Sequence, residues 1–284
     1  MNDAQLCIIG ANGQLGKALQ AKYPSAQKAD INELDITNRA SVFGYDWSGT
    51  KVIVNAAAYT NVDGAETVEG RVTSWSVNAQ ATTYLGEVAR QHDLTLVHVS
   101  TDYVFDGTKT PHTEEELFSP LSVYGASKAA GDLIVAGLPS HYILRTSWVI
   151  GEGNNFVRTM LELGKKGINP SVVDDQIGRL TFTSVLVEAI DHLLSTQAAY
   201  GTYNVSGEGK EVSWADVAKE VFQAAQMNNT VTGITTAQYY ADKTDVAPRP
   251  LQSSLDLSKL KTSGFVPRDW QDDLREYIKK ELAA

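Results

Sequence analysis

Tyr124 and Lys128 stand four positions apart in Tyr124-Gly125-Ala126-Ser127-Lys128. On a helix such a pair shares one face, which sets a phenol beside an ammonium. A free tyrosine, with a pKa near about 10, exchanges its proton poorly at neutral pH. A neighbouring positive charge favours the phenolate and draws that pKa toward the working range. The pair is a candidate acid/base unit in which Tyr124 moves the proton and Lys128 tunes it. The spacing alone also describes an amphipathic helix with a packed Tyr and a solvated Lys, so its surroundings decide. Upstream, Ser100-Thr101-Asp102 offers a hydroxyl at Thr101 that can hydrogen-bond a carbonyl oxygen gaining negative charge.

These groups need elements to position them. Leu6-Cys7-Ile8-Ile9 is a short apolar run, as expected of a strand covered on both faces. Gly10-Ala11-Asn12-Gly13-Gln14-Leu15-Gly16 follows at once, and residues 17–22 read as helix. Strand, G-x-x-G-x-x-G turn and helix together make a phosphate site. Its glycines admit the backbone to a pyrophosphate, and the helix N-terminus presents unpaired N–H groups. Asp30 follows a short second strand, where an acidic residue receives adenosine ribose hydroxyls. Asp35 precedes Thr37 and Asn38, either of which can cap a helix reaching about Phe43.

Residues 51–55 form a third buried strand that runs into Ala56-Ala57-Ala58-Tyr59-Thr60. Small residues at a parallel strand's carboxyl end leave room for a flat ligand. A long helix over 72–91 leads to a fourth strand, 94–99, which delivers Ser100-Thr101-Asp102-Tyr103 to the same sheet edge. A fifth strand, 141–145, follows the Tyr124 helix. Trp148 at its exit either stacks on a planar ligand or closes the core.

The strand–helix alternation weakens after that point. Helices are expected from Asn155 to about Gly164, over 184–195, after the cap Ser213, and over 271–282. Strand signals lie at 172–176 and 201–206, and Pro248-Arg249-Pro250 interrupts any regular element. The pattern predicts an α/β fold, a Rossmann-like doubly wound parallel sheet with a smaller α/β substrate-binding cap. Residues 1–150 supply the dinucleotide-binding part, with later returns to the sheet, and 151–284 mainly the cap.

Composition narrows the partners. Thirty-four acidic against 24 basic side chains leave a net charge of −10, which argues against sequence-independent nucleic acid binding. Cys7 is the only cysteine, so neither an internal disulfide nor a Cys-based zinc site is expected. Its place in an apolar run suggests packing. No charged n-region with a long apolar stretch opens the chain, and no run approaches a membrane span. The expectation is a cytoplasmic protein with no membrane partner.

The glycine turn, Asn55-Ala56-Ala57, Ser100-Thr101-Asp102 and Tyr124-x-x-x-Lys128 resemble an extended short-chain dehydrogenase/reductase. Longer blocks sharpen the likeness: residues 55–66, 100–107, Arg145-Thr146-Ser147-Trp148-Val149, Gly153-Asn154-Asn155-Phe156 and Asp175-Gln176-Ile177-Gly178. Together they resemble the dTDP-4-dehydrorhamnose reductase family over nearly the whole chain. The resemblance implies reduction of the 4-keto group of dTDP-4-dehydro-L-rhamnose with NADPH or NADH. It implies that Gly13, Gln14 and Leu15 meet the cofactor pyrophosphate, with Gly10, Asn12 and Gly16 also at the cofactor, Asp30 at the ribose, and Asp35 and Ile36 at the adenine. Ala58, Tyr59 and Thr60 would line the cofactor or the substrate, with Ala57, Tyr124 and Lys128 touching the cofactor too. Thr101, Tyr124 and Lys128 would be catalytic. Thr101, Asp102, Tyr103 and Trp148 would contact the sugar, and Asn155 and Arg249 the diphosphate.

Some relatives dimerise around Mg²⁺ held by glutamates. No such glutamates are placed here, so no metal ligand is assigned, and monomer and homodimer both stay open. A sugar-nucleotide epimerase or 4,6-dehydratase shares the fold, but dehydratases carry Asp-Glu directly after the active-site Thr. Here Asp102-Tyr103 follows Thr101. A non-catalytic dinucleotide-binding subunit is the alternative of another class, and the intact Thr101, Tyr124 and Lys128 favour an enzyme.

Overall fold

The structure, a computed structural model, describes residues 2–244 and 246–283. Six parallel strands form its central sheet. Their chain order is β1 (Leu6–Ile9), β2 (Gln27–Ala29), β3 (Val52–Asn55), β4 (Thr95–Thr101), β5 (His141–Thr146) and a last strand, Gly201–Asn204. Across the sheet β1 sits between β2 and β3, followed by β4, β5 and Gly201–Asn204. The order therefore turns back at β1, between β1 and β3. Such a switch point opens a crevice at the carboxyl ends of the strands.

Helices cover both faces, which explains why β1 is apolar throughout and β3 is apolar up to its last residue, Asn55. Every residue of both strands is buried. Leu6 and Ile8 face a core shared with α1 (Gln14–Lys22), while Cys7 and Ile9 face the opposite one. That second core contains Val42 of α2 (Arg39–Gly44), and Leu85 and Val88 of α4 (Ala81–Gln91). α3 (Val68–Trp75) precedes α4 in the chain and packs on α5 (Val123–Ala136), which also lies against α4. The helix expected over 72–91 thus starts at Val68. It is continuous except for a π-helical turn, Ser76–Gln80, between α3 and α4.

The first helix begins at Gln14, three residues before the expected start, with Gly13 as its N-cap. Gly13 has extended backbone and no capping side chain, which leaves the first-turn N–H groups directed at the switch point.

Beyond β5 the chain adds α6 (Phe156–Lys165), α7 (Thr183–Ser195) and α8 (Trp214–Ala224). Three short strand pairs accompany them: Val149–Ile150 with Thr181–Phe182, Ser171–Val173 with Thr232–Ile234, and Ile177–Gly178 with Val212–Ser213. Part of this half returns to the sheet, since Gly201–Asn204 is its sixth strand and α7 packs against α1. The terminal helix Trp270–Ala283 buries Trp270, Leu274 and Ile278 in the same core. Among the described residues no helix is long and apolar enough to cross a membrane.

Candidate active site

The glycine turn is shaped by close backbone approach. Gly10 has φ +77°, and a Cβ there would lie 2.6 Å from the Ala57 nitrogen. A Cβ on Gly16 would collide with the carbonyl oxygens of Gly10 and Ala11. Neither position accepts a side chain, so the turn and the β3 exit are held in contact. Asp30 braces this turn: its carboxylate accepts the backbone N–H of Asn12 at 2.8 Å and of Ile31 at 2.9 Å. Asp35 ties down its own loop by accepting from the N–H and hydroxyl of Thr37. The helix cap is Asn38. Gly10, Gly13, Asp30, Asp35, Ile36, Ala57 and Ala58 line a cavity of about 270 Å³, open at the switch point.

A second cavity of about 450 Å³ adjoins it, sharing Gly13, Ala56 and Ala58. Gln14, Leu15, Thr60, Thr101, Asp102, Tyr103, Tyr124, Lys128 and Trp148 line it. Both volumes are of the order of a small-molecule site, roughly 300–1,000 Å³. The wall also holds Thr146 and Ser147, whose buried hydroxyls find no partner among the described residues. Unpaired buried hydroxyls are costly unless a ligand supplies the bond, so the cleft fits a polar guest.

Thr101 ends β4 and caps the following 3-10 turn, accepting the Tyr103 N–H at 3.2 Å. Its hydroxyl donates to Asp102 Oδ1 at 3.1 Å. Burial pushes Asp102 up to about 6, against hydrogen bonds from Ser253 and Thr101. Tyr124 occupies the first turn of α5, where Ser122 caps the helix by accepting the Gly125 N–H at 3.1 Å. Gly125 is required because a Cβ would strike the Tyr103 carbonyl. The Tyr103 and Tyr124 rings meet edge to face at 5.6 Å.

Tyr124 departs from the expected tuning. Burial pushes its phenol above the ordinary value; Thr101 draws it down, and the charges of Asp102 and Asp132 raise it further. The expected net lowering is therefore reversed in direction. Lys128 does share the helix face, but Nζ donates to the Val99 carbonyl at 2.7 Å and lies 3.4 Å from His98 Nε2. Burial draws Lys128 down to about 8, opposed by Asp132.

Trp148 lies past the β5 end with φ +46°, a left-handed backbone that is costly for a bulky residue. Its indole stacks on Trp214 of α8, with centroids 3.8 Å apart, and both rings line the cleft. Trp214 was not expected, because Ser213-Trp214 reads from sequence only as a helix start.

Asn12 and Gly16 shape the turn but line neither cavity, and the two expected diphosphate contacts, Asn155 and Arg249, are not brought to the cleft wall. Asn155 caps α6 by accepting the Arg158 N–H, and its amide donates to Gly151 O, Gly153 O and Tyr277 Oη. Arg249 donates to Asp63 Oδ1 at 2.8 Å and to Ala247 O. Tyr59 is absent from the lining, but its backbone is clasped by Asn78 of the π turn. Asn78 Oδ1 accepts the Tyr59 N–H at 2.9 Å, and Nδ2 donates to Tyr59 O and Ser127 Oγ. Asn78 thus links the β3 exit to α5, and sequence reading missed it. Among the described residues no group of three or more His, Cys, Asp or Glu is arranged to hold a metal ion.

Residues 4–283 match the family described as RmlD substrate binding domain. A dTDP-4-dehydrorhamnose reductase of Aggregatibacter actinomycetemcomitans is 42% identical over 294 residues, covering 96% of this chain and 97% of that protein. A crystal structure of such a reductase from Clostridium acetobutylicum superposes with TM-score 0.91 and 35% identity, covering 98% and 99% of the two chains. Another, from Bacillus anthracis in complex with NADP, gives TM-score 0.88 and 37% identity, with 97% of each chain covered.

Proposed function

The chain belongs to the RmlD substrate binding domain family, and from that premise we propose that it reduces dTDP-4-dehydro-L-rhamnose to dTDP-L-rhamnose with NADPH or NADH. Relatives named for this reaction, one solved with NADP, support the assignment. The observation that carries it is the meeting of Thr101, Tyr124, Lys128 and Trp148 on one cleft that adjoins the switch-point cavity.

The fit of a dinucleotide rests on the glycine cradle and the uncapped start of α1. In this reading Gly13, Gln14 and Leu15 hold the pyrophosphate, Asp30 the ribose, and Asp35 and Ile36 the adenine. Residues 1–150 thus serve mainly the cofactor, and 151–284 mainly the nucleotide sugar. A reduced nicotinamide bound there supplies the hydride.

The chain's own groups do the rest. Thr101 turns its hydroxyl from Asp102 to donate a hydrogen bond to the sugar O4 as negative charge gathers on it. Tyr124 then gives its phenolic proton to O4, completing the alcohol and leaving a phenolate for Lys128 to stabilise. Asp102 and Tyr103 position the sugar, with Trp148 and Trp214 forming its apolar wall. Mg²⁺ finds no donor cluster among the described residues, and no step is assigned to it. A nucleotide-sugar substrate and a nicotinamide cofactor support a cytoplasmic location.

The test is the reaction itself, run with a cofactor deuterated at nicotinamide C4. One reduced nicotinamide consumed per keto sugar, with deuterium at C4 of a rhamnose product, is the expected result. Cofactor bound but never oxidised would leave a non-catalytic binding protein.

A further inference from the structure

Behind the cleft, His98 of β4 is 1% exposed and faces Lys128. Its ring nitrogens meet different neighbours. Nδ1 lies 3.2 Å from Asn55 Nδ2. Nε2 lies 3.4 Å from Lys128 Nζ and 4.0 Å from Asp132 Oδ1. The Asn55 amide is oriented by the backbone, since its Oδ1 accepts the Ala57 N–H at 3.2 Å. Turning the amide over would set its NH₂ against that N–H. Asn55 Nδ2 is therefore the donor, and His98 Nδ1 accepts.

Burial, with the Lys128 charge acting in the same sense, drives His98 to its neutral form. A neutral imidazole that accepts at Nδ1 carries its proton on Nε2. That N–H is directed at the Lys128 ammonium and the Asp132 carboxylate. A donor facing a cation disfavours the cation in a low-dielectric interior.

We infer that His98, locked by Asn55 as the Nε2–H tautomer, is a positioning residue that sets the charge state of Lys128. The inference rests on the role given to Lys128 above. Other charged groups surround the pair. Asp132 on α5 favours the ammonium but is itself bound by Arg145 of β5 at 2.9 Å. β3 contributes only the uncharged Asn55. Asp102 stands past the β4 end, and Tyr124 lies one turn away on α5. Burial draws Lys128 down to about 8, and the facing His98 N–H acts in the same direction.

Isotope-edited NMR of histidine-labelled protein reports which ring nitrogen holds the proton. The expected spectrum shows His98 neutral and protonated on Nε2 between about pH 5 and 8. Proton on Nδ1, or a cationic ring in that range, overturns the inference. The wild-type spectrum needs no variant, so it decides even if a substitution does not fold. His98→Gln removes the opposing N–H and offers the ammonium a carbonyl oxygen. The basic limb of its kcat/KM profile should move up by about one pH unit. Folded His98→Gln with the wild-type limb would reduce His98 to packing and overturn the proposal. The tautomer is read without turnover, so full activity in Lys128→Met would instead sink the role assigned to Lys128.

Discussion

Tyr124 reaches the cleft from a helix that buries it, and burial penalises the phenolate, so the phenol keeps its proton at neutral pH. A protonated donor suits the reducing direction. Lys128 behaves differently. Below about 8 it is an ammonium, and above that value it is neutral. The step that leaves a phenolate needs the ammonium, so kcat/KM should fall as pH rises through about 8. A profile flat between about pH 7 and 10 would contradict this. Asp30 gives a second test. Its carboxylate stands in the switch-point cavity, whose lining among the described residues contains Asp35 and no Lys or Arg. A 2′-phosphate would be repelled there, so NADH should be usable and Asp30→Ala should shift preference toward NADPH. Unchanged kcat/KM ratios for the two cofactors would leave Asp30 only its bracing of Asn12 and Ile31.

At the scale of elements, the middle of the sheet was legible because its strands are largely buried on both faces and so read as apolar runs. β1, β3, β4 and β5 stand at those runs. The glycine turn declared the first helix, but its start was placed late, since Gly13 caps it without a side-chain signal. The π turn has no compositional mark, and Asn78 looked like any helix polar residue. Asn55 and His98 were read as strand positions, because their partners come from other strands and from α5. The same distance hid the Trp148–Trp214 stack. That stack makes a test of the cap. Trp148→Ala should raise KM or lower kcat/KM for the keto sugar, while cofactor titration is unchanged. A stability loss of about 3–5 kcal/mol with normal kinetics in the folded fraction would assign the indole to packing instead.

At the scale of the molecule, the two halves meet around the cleft. Gln14 and Lys17 of α1 bond to Asn154 and Glu152, and Asp63 bonds to Arg249. The Lys17–Glu152 pair is exposed and adds little stability. Occupancy of the site should matter more. At a hundred times Kd, a ligand of the folded state stabilises it by about 2.7 kcal/mol. Melting with NADH or NADPH should therefore rise by several degrees, and an unshifted Tm would remove the cofactor from the switch-point cavity. The proposed reaction turns on proton delivery by Tyr124 to a ketone held in this cleft. The most direct measurement compares turnover of dTDP-4-dehydro-L-rhamnose by the wild-type protein and Tyr124→Phe, with cofactor affinity measured in both. The kcat of the variant should be lower by roughly 10²–10⁴-fold, with cofactor affinity little changed. Near-wild-type turnover by Tyr124→Phe would contradict it.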